Sequence, residues 1–262
     1  MKQLALAWCF LSSILSITAS TQPSYDALCD QASADYDSGN FEGAIDKYST
    51  AFKMNPQATG PLFGRVFARI GKNDIKGAIE DCTQIINLDP HNANAFEMRG
   101  KLKNDLNDIA GALADLNHGI ELDAKNGDAY FLRGKIREGY NDLSGALSDY
   151  TEAIELDPKN APAFYFRAMI RGKSGDIKGA LSDLDKEIEI TPSDQAYYVR
   201  GAMKQSAGDL DGAIADFTKA IELNPKFADA YSARSSSKRL KKDYAGARSD
   251  QDMAEKLAPE PK

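Results

Sequence analysis

Residues 142–158 read DLSGALSDYTEAIELDP, and their spacing decides the fold. Leu143, Ala146, Leu147, Tyr150, Ala153 and Ile154 fall at i, i+3, i+4, i+7, i+10 and i+11, which is one apolar stripe on an α-helix. Asp142 stands just before the stripe, where a carboxylate accepts bonds from amides that have no partner inside the helix, and Pro158 closes the far end. Upstream, Ala129 to Tyr140 reads as a second helix. The Asn141-Asp142 connection is so short that the two helices must return antiparallel, giving a helical hairpin.

The hairpin recurs. Its Gly-Ala pair appears at Gly43-Ala44, Gly77-Ala78, Gly111-Ala112, Gly145-Ala146, Gly179-Ala180, Gly212-Ala213 and Gly246-Ala247, at intervals of 34 residues with a single interval of 33. Prolines keep the same beat at Pro56, Pro90, Pro158, Pro192, Pro225 and Pro259, with Ala124 in the third copy. A fixed period of this length, helical throughout, predicts an all-α solenoid of about seven helical hairpins. Each unit packs mainly on its neighbours, so the length of 262 residues implies one elongated array rather than two globular domains.

Within a hairpin the bulk is rationed. Alanine occupies the same second-helix place in all seven copies. The facing place on the first helix is usually small: Ala32, Gly100, Gly134, Ala168, Gly201 and Ser235, with Val66 the largest. Small residues on both sides let the helix axes come close. An arginine followed sixteen residues later by an aspartate also repeats, as Arg65/Asp81, Arg99/Asp115, Arg133/Asp149, Arg167/Asp183, Arg200/Asp216 and Arg234/Asp250. A guanidinium fork suits bidentate pairing with a carboxylate, so these pairs are expected to bridge the two helices of each hairpin. The first copy has Gln31 and Lys47 instead.

The residues Tyr130, Gly134, Ala146, Tyr150, Ala153 and Pro158 carry a resemblance to the tetratricopeptide repeat (TPR): an aromatic, a small residue, Ala, an aromatic, Ala and Pro over 34 residues. In that register the repeats run 25–58, 59–92, 93–126, 127–160, 161–193, 194–227 and 228–259. The sixth is a residue short in the loop after Pro192. Glu187 sits where Ala or Gly usually packs. A buried unpaired carboxylate is costly, so this side chain is expected to be partly exposed or paired. In the last copy Arg248, Gln251 and Glu255 replace the apolar places that are Leu147, Tyr150 and Ile154 in the fourth, as befits a capping repeat that ends the array.

Ahead of the repeats, residues 1–20 carry one charge, Lys2, and Leu4 to Ile17 is apolar apart from three serines. That length suits a signal-peptide core better than a membrane span, and Ala19 and Ser20 offer a cleavage site. Export to a periplasm or to the outside is expected, with no integral span once the leader is cut. An uncleaved anchor is the alternative. Cys29 and Cys82 are the cysteines beyond the leader. Their separation is not metal-ligand spacing, and the register puts Cys29 on an exposed face and Cys82 in the core, so no disulfide is expected.

Chemistry is sparse. His91 and His118 read as surface residues without a partner at metal or general-base spacing, and no nucleophile, zinc or phosphate-loop motif is present. No cofactor and no catalysis are therefore expected. A net charge of −7 with interleaved signs argues against nucleic acid.

The TPR resemblance implies a right-handed superhelix whose first helices line a concave groove. Carried onto this sequence, the groove-facing places include Phe63, Phe67, Glu97, Lys101, Phe131, Lys135, Tyr165, Met169 and Tyr198. They form an aromatic track edged by charge, suited to an extended peptide or a docked helix from a protein partner. The competing reading is that these rings half-pack between neighbouring helices. No copy has the Lys and Asn pair by which related co-chaperones grip acidic tails, so that subclass is disfavoured. The function expected is a non-catalytic protein-binding scaffold. The alternative is a self-associating structural or assembly protein of the cell envelope.

Overall fold

The structure, a computed structural model, describes residues 23–258. The leader and the final proline of the repeat beat lie outside the described residues. Among those described, the chain forms fourteen α-helices and no strand. In order they are α1 (Tyr25–Asp37), α2 (Phe41–Met54), α3 (Gly60–Gly71), α4 (Ile75–Leu88), α5 (Ala93–Asp105), α6 (Ile109–Leu122) and α7 (Gly127–Gly139). There follow α8 (Leu143–Leu156), α9 (Ala161–Lys173), α10 (Ile177–Ile190), α11 (Asp194–Ser206), α12 (Leu210–Leu223), α13 (Ala228–Leu240) and α14 (Tyr244–Leu257). Two compact units divide the chain between Leu102 and Lys103, inside α5. The first stacks α1 to α4 in sequence, and in the second α6 to α14 pack each on the next. No helix among the described residues is long and apolar enough to cross a membrane.

The hairpins form as the sequence dictates. Asp142 caps α8, accepting from the Gly145 amide at 3.0 Å, and Asp74, Asp108, Asp176, Asp209 and Asp243 cap their helices in the same way. Each such cap contributes about 1 kcal/mol. The cap explains the glycine of the Gly-Ala pair, because a Cβ on Gly145 would lie 2.2 Å from the Asp142 Oδ2 atom. Helix α7 begins at Gly127, two residues before the expected start, because Asn126 caps it by accepting from the Ala129 amide at 3.1 Å.

The chain reverses through a left-handed residue just before each of the aspartate caps, and before Asn40, which caps α2. Asn73, Asn107, Asn141 and Lys242 have φ of 62° to 67°, and glycines occupy the equivalent place at Gly39, Gly175 and Gly208. Asparagine tolerates this region and glycine is at home in it, whereas lysine is strained there.

Small residues let the helices close up. Ala146 is fully buried, and a Cβ on Gly134 would come 2.9 Å from the buried Tyr150 ring. Five of the expected arginine bridges are bidentate, Arg167 donating from Nε (2.9 Å) and Nη2 (2.7 Å) to the two Asp183 oxygens, with Arg65, Arg133, Arg200 and Arg234 alike. Each of the aspartates in these five bridges takes a second cation from one turn further along the first helix: Arg69, Arg137, Arg171, Lys204 and Lys238 at 2.8 to 3.0 Å. The arginine also reaches back to the preceding hairpin. Arg167 Nη1 donates to Thr151 Oγ1 (3.2 Å), and Arg65, Arg133 and Arg234 find Ser49, Asn117 and Thr218 at the same offset of sixteen residues. Arg200, downstream of the one-residue deletion, finds Asp185 at an offset of fifteen. In the first hairpin the polarity is reversed, with Lys47 pairing with Asp35.

Candidate functional site

The first helices of the second unit bring aromatic and apolar side chains to one face. On α7, Phe131 is half-buried, its ring 5.8 Å from that of Tyr150 and 5.9 Å from that of Phe166. Lys135, one turn along, holds its Nζ 6.0 Å from the Phe131 centroid and 5.2 Å from that of Phe166. The Tyr150 hydroxyl donates to Glu138 at 2.8 Å, and burial, reinforced by that carboxylate, raises its pKa far above the ordinary phenol range. On α9, Tyr165 meets Phe166 edge-on at 5.5 Å. On α11, Tyr198 lies 5.0 Å from Phe227 and 5.8 Å from Phe217.

Two open pockets lie along α9 and α11. The first, about 380 Å³, is lined by Met169, Gly172 and Lys173 of α9, Ile177 of α10, and Tyr198, Val199, Ala202, Met203 and Ser206 of α11. The second, about 390 Å³, is lined by Ala161, Pro162, Tyr165 and Phe166 of α9, Glu187 of α10, Thr191 just after it, and Gln195 of α11. Both sizes fall at the lower end of the range of about 300–1,000 Å³ for sites that take a small ligand or a side chain.

Of the nine groove residues expected from sequence, Tyr165, Met169 and Tyr198 therefore line two neighbouring pockets, and Phe131 and Lys135 stand together on α7. The other four belong to the first unit. There Phe63 packs on the core around Leu62 and Val66, Phe67 is 45% exposed, Glu97 is half-buried and Lys101 is exposed. Phe131, Tyr165 and Tyr198 are each half-buried.

Two expectations need correction. Cys29 is half-buried, not exposed, and burial raises its thiol pKa. Glu187 is neither partly exposed nor paired: it is 8% exposed, and its Oε2 is buried without a hydrogen-bond partner. The register of α10 is fixed by Ala180, Leu184 and Ile188, all buried, so residue 187 lands inward whatever side chain it carries. Burial raises the Glu187 pKa from its ordinary 4.5 to about 7. Phe166, Ile177 and Met203, which complete the pocket walls, were not among the residues singled out from the sequence. For Phe166 and Met203 the signal is a second row of apolar residues on the same first helices, whereas Ile177 is the first residue of α10.

Models of the tetratricopeptide repeat match residues 127–160 and 195–227. The fold matches many solved structures built from that repeat. Those two stretches of this chain are tetratricopeptide repeats. The C-terminal part of a TPR repeat-containing protein from Cytophaga hutchinsonii superposes with a TM-score of 0.73 at 16% identity, over 89% of this chain and 96% of that one. YrrB, described as a TPR protein with an unusual peptide-binding site, matches with a TM-score of 0.64 at 23% identity, over 70% of this chain and 94% of its own. MamA matches at 26% identity with a TM-score of 0.58, over 63% and 96%. No curated protein matches the chain. TPR proteins typically act as scaffolds for protein interaction.

Proposed function

We propose that this chain is an exported, non-catalytic scaffold that holds a segment of another protein on the first-helix faces of α7, α9 and α11. The observation that carries the reading is the pair of neighbouring pockets, because three residues predicted from the repeat register, Tyr165, Met169 and Tyr198, line them. Apolar pockets spaced along consecutive helices suit alternate side chains of an extended peptide. The peptide-binding site named for YrrB is consistent with it. Export rests on the composition of residues 1–20, and the net charge of −7 keeps nucleic acid out of the reading.

The test is a comparison of proteins co-purified with the full chain and with the combined variant Phe131→Ala, Tyr165→Ala, Tyr198→Ala, after circular dichroism has shown the variant to be folded. Loss of specific partners is expected. An unchanged partner set refutes the reading. Self-association is the competing reading, favoured by Leu240 (64% exposed) and Tyr244 (66%) on the last hairpin. A mass by light scattering that stays monomeric as concentration rises removes it.

A further inference from the structure

Among the described residues, Glu187 is the buried carboxylate with an oxygen that is buried and has no hydrogen-bond partner. Asp81, Asp149, Asp183, Asp216 and Asp250 each receive two cations, so their burial is compensated. Glu187 is also buried, at 8% exposure, yet its Oε2 has no partner. At the equivalent place in the neighbouring hairpins the residues are Ala153 and Ala220, both fully buried, so the fold itself does not call for a carboxyl here. The group opens instead onto the pocket of about 390 Å³, where it is the only charged residue. Around it stand the Tyr165 and Phe166 rings, set edge-on to each other, with Thr191 and Gln195 adding polar atoms. A buried acceptor without a donor, beside two aromatic rings, is the complement of an organic cation: the carboxylate meets the charge and the rings meet the stem and the cation. The acidic balance of the whole chain draws cations toward it.

We propose that this pocket is an anchor site for a cationic side chain, lysine or arginine, of the segment that the scaffold holds. The site rests on the peptide-binding reading above and names what that peptide must carry. When the cation enters, the Glu187 carboxyl is held as the carboxylate and its proton leaves to solvent. The same pocket rejects an acidic side chain, and an apolar one leaves the carboxyl without a donor.

The test uses the full chain and the variant Glu187→Gln, which replaces a carboxyl by an amide of the same size. Carbon-13 NMR of labelled glutamate carboxyls identifies Glu187 as the signal missing from the variant. Adding n-butylammonium or n-propylguanidinium chloride is expected to lower the midpoint of that signal's titration by about one pH unit, as an opposing charge does. Sodium chloride at the same concentration leaves it in place. Random peptides displayed on phage and selected on the two proteins supply the second arm. The wild type is expected to enrich Lys or Arg at one position roughly tenfold over Glu187→Gln, the factor set by about 1.4 kcal/mol of lost charge pairing. An unmoved midpoint, or peptides without that enrichment, overturns the anchor site and leaves the scaffold reading intact. Recovery of no peptide by either protein defeats the scaffold reading, and the anchor falls with it.

Discussion

Glu187 makes the stability of the second unit depend on pH in a direction opposite to that of a paired carboxylate. Its folded-state pKa is raised from 4.5 to about 7 by burial. Below pH 4.5 both the folded and the unfolded chain hold the proton, and the group imposes no ionisation penalty. As pH rises, the unfolded chain releases the proton first, so stability is lost through the window from 4.5 to about 7 and levels off above it. At about 1.36 kcal/mol per pH unit of difference, the loss comes to about 3 kcal/mol. Glu187→Gln keeps a polar group in the same space but does not titrate. Urea unfolding of both proteins, followed by circular dichroism from about pH 4 to about pH 8, isolates the effect in the difference between them. Other titrating groups cancel in that difference, including Asp250, whose pKa is lowered overall by Arg234 and Lys238 against the opposing effect of its burial. The wild type should fall behind the variant by about 3 kcal/mol across the window, in whichever unfolding step releases the hairpins around α10. A difference that stays flat with pH refutes both the burial and the missing partner.

Further outcomes test the packing. Gly134→Ala should destabilise by about 1–3 kcal/mol in urea unfolding, because the added methyl meets the buried Tyr150 ring. Asp183→Ala strands Arg167 and Arg171 and should cost about 3–5 kcal/mol, far more than removal of an exposed pair such as Lys219 and Glu222. Lys242→Gly should raise the thermal midpoint, contributing about 1 kcal/mol by relieving a left-handed lysine.

The hairpins were legible because the period lies in the sequence itself, and comparison among copies shows which places refuse bulk. The Asp142 cap and the bidentate bridges followed from residue type and spacing. The backward reach of each arginine did not, since its acceptors are serine, threonine, asparagine and aspartate in different copies, with no shared residue to align. The left-handed turns were hidden for a similar reason: Gly, Asn and Lys share a φ sign, not a side chain. Glu187 was visible as a departure from the pattern, but its outcome was misjudged. A cost argument treats the residue as free to turn outward, whereas the stripe of Ala180, Leu184 and Ile188 leaves it no such choice. The pockets depend on where half-exposed rings stop, and periodicity does not encode that.

The arginine contacts depend on offsets, not on a copy's rank along the chain: a carboxylate sixteen residues ahead and a polar atom sixteen behind. Splicing in or cutting out a whole 34-residue unit would leave every such bond with an equivalent mate. Gene duplication could therefore change the extent of this array without any further substitution to mend its seams. Even the one-residue deletion near Pro192 was absorbed by a loop, with Arg200 gripping the corresponding site one residue nearer.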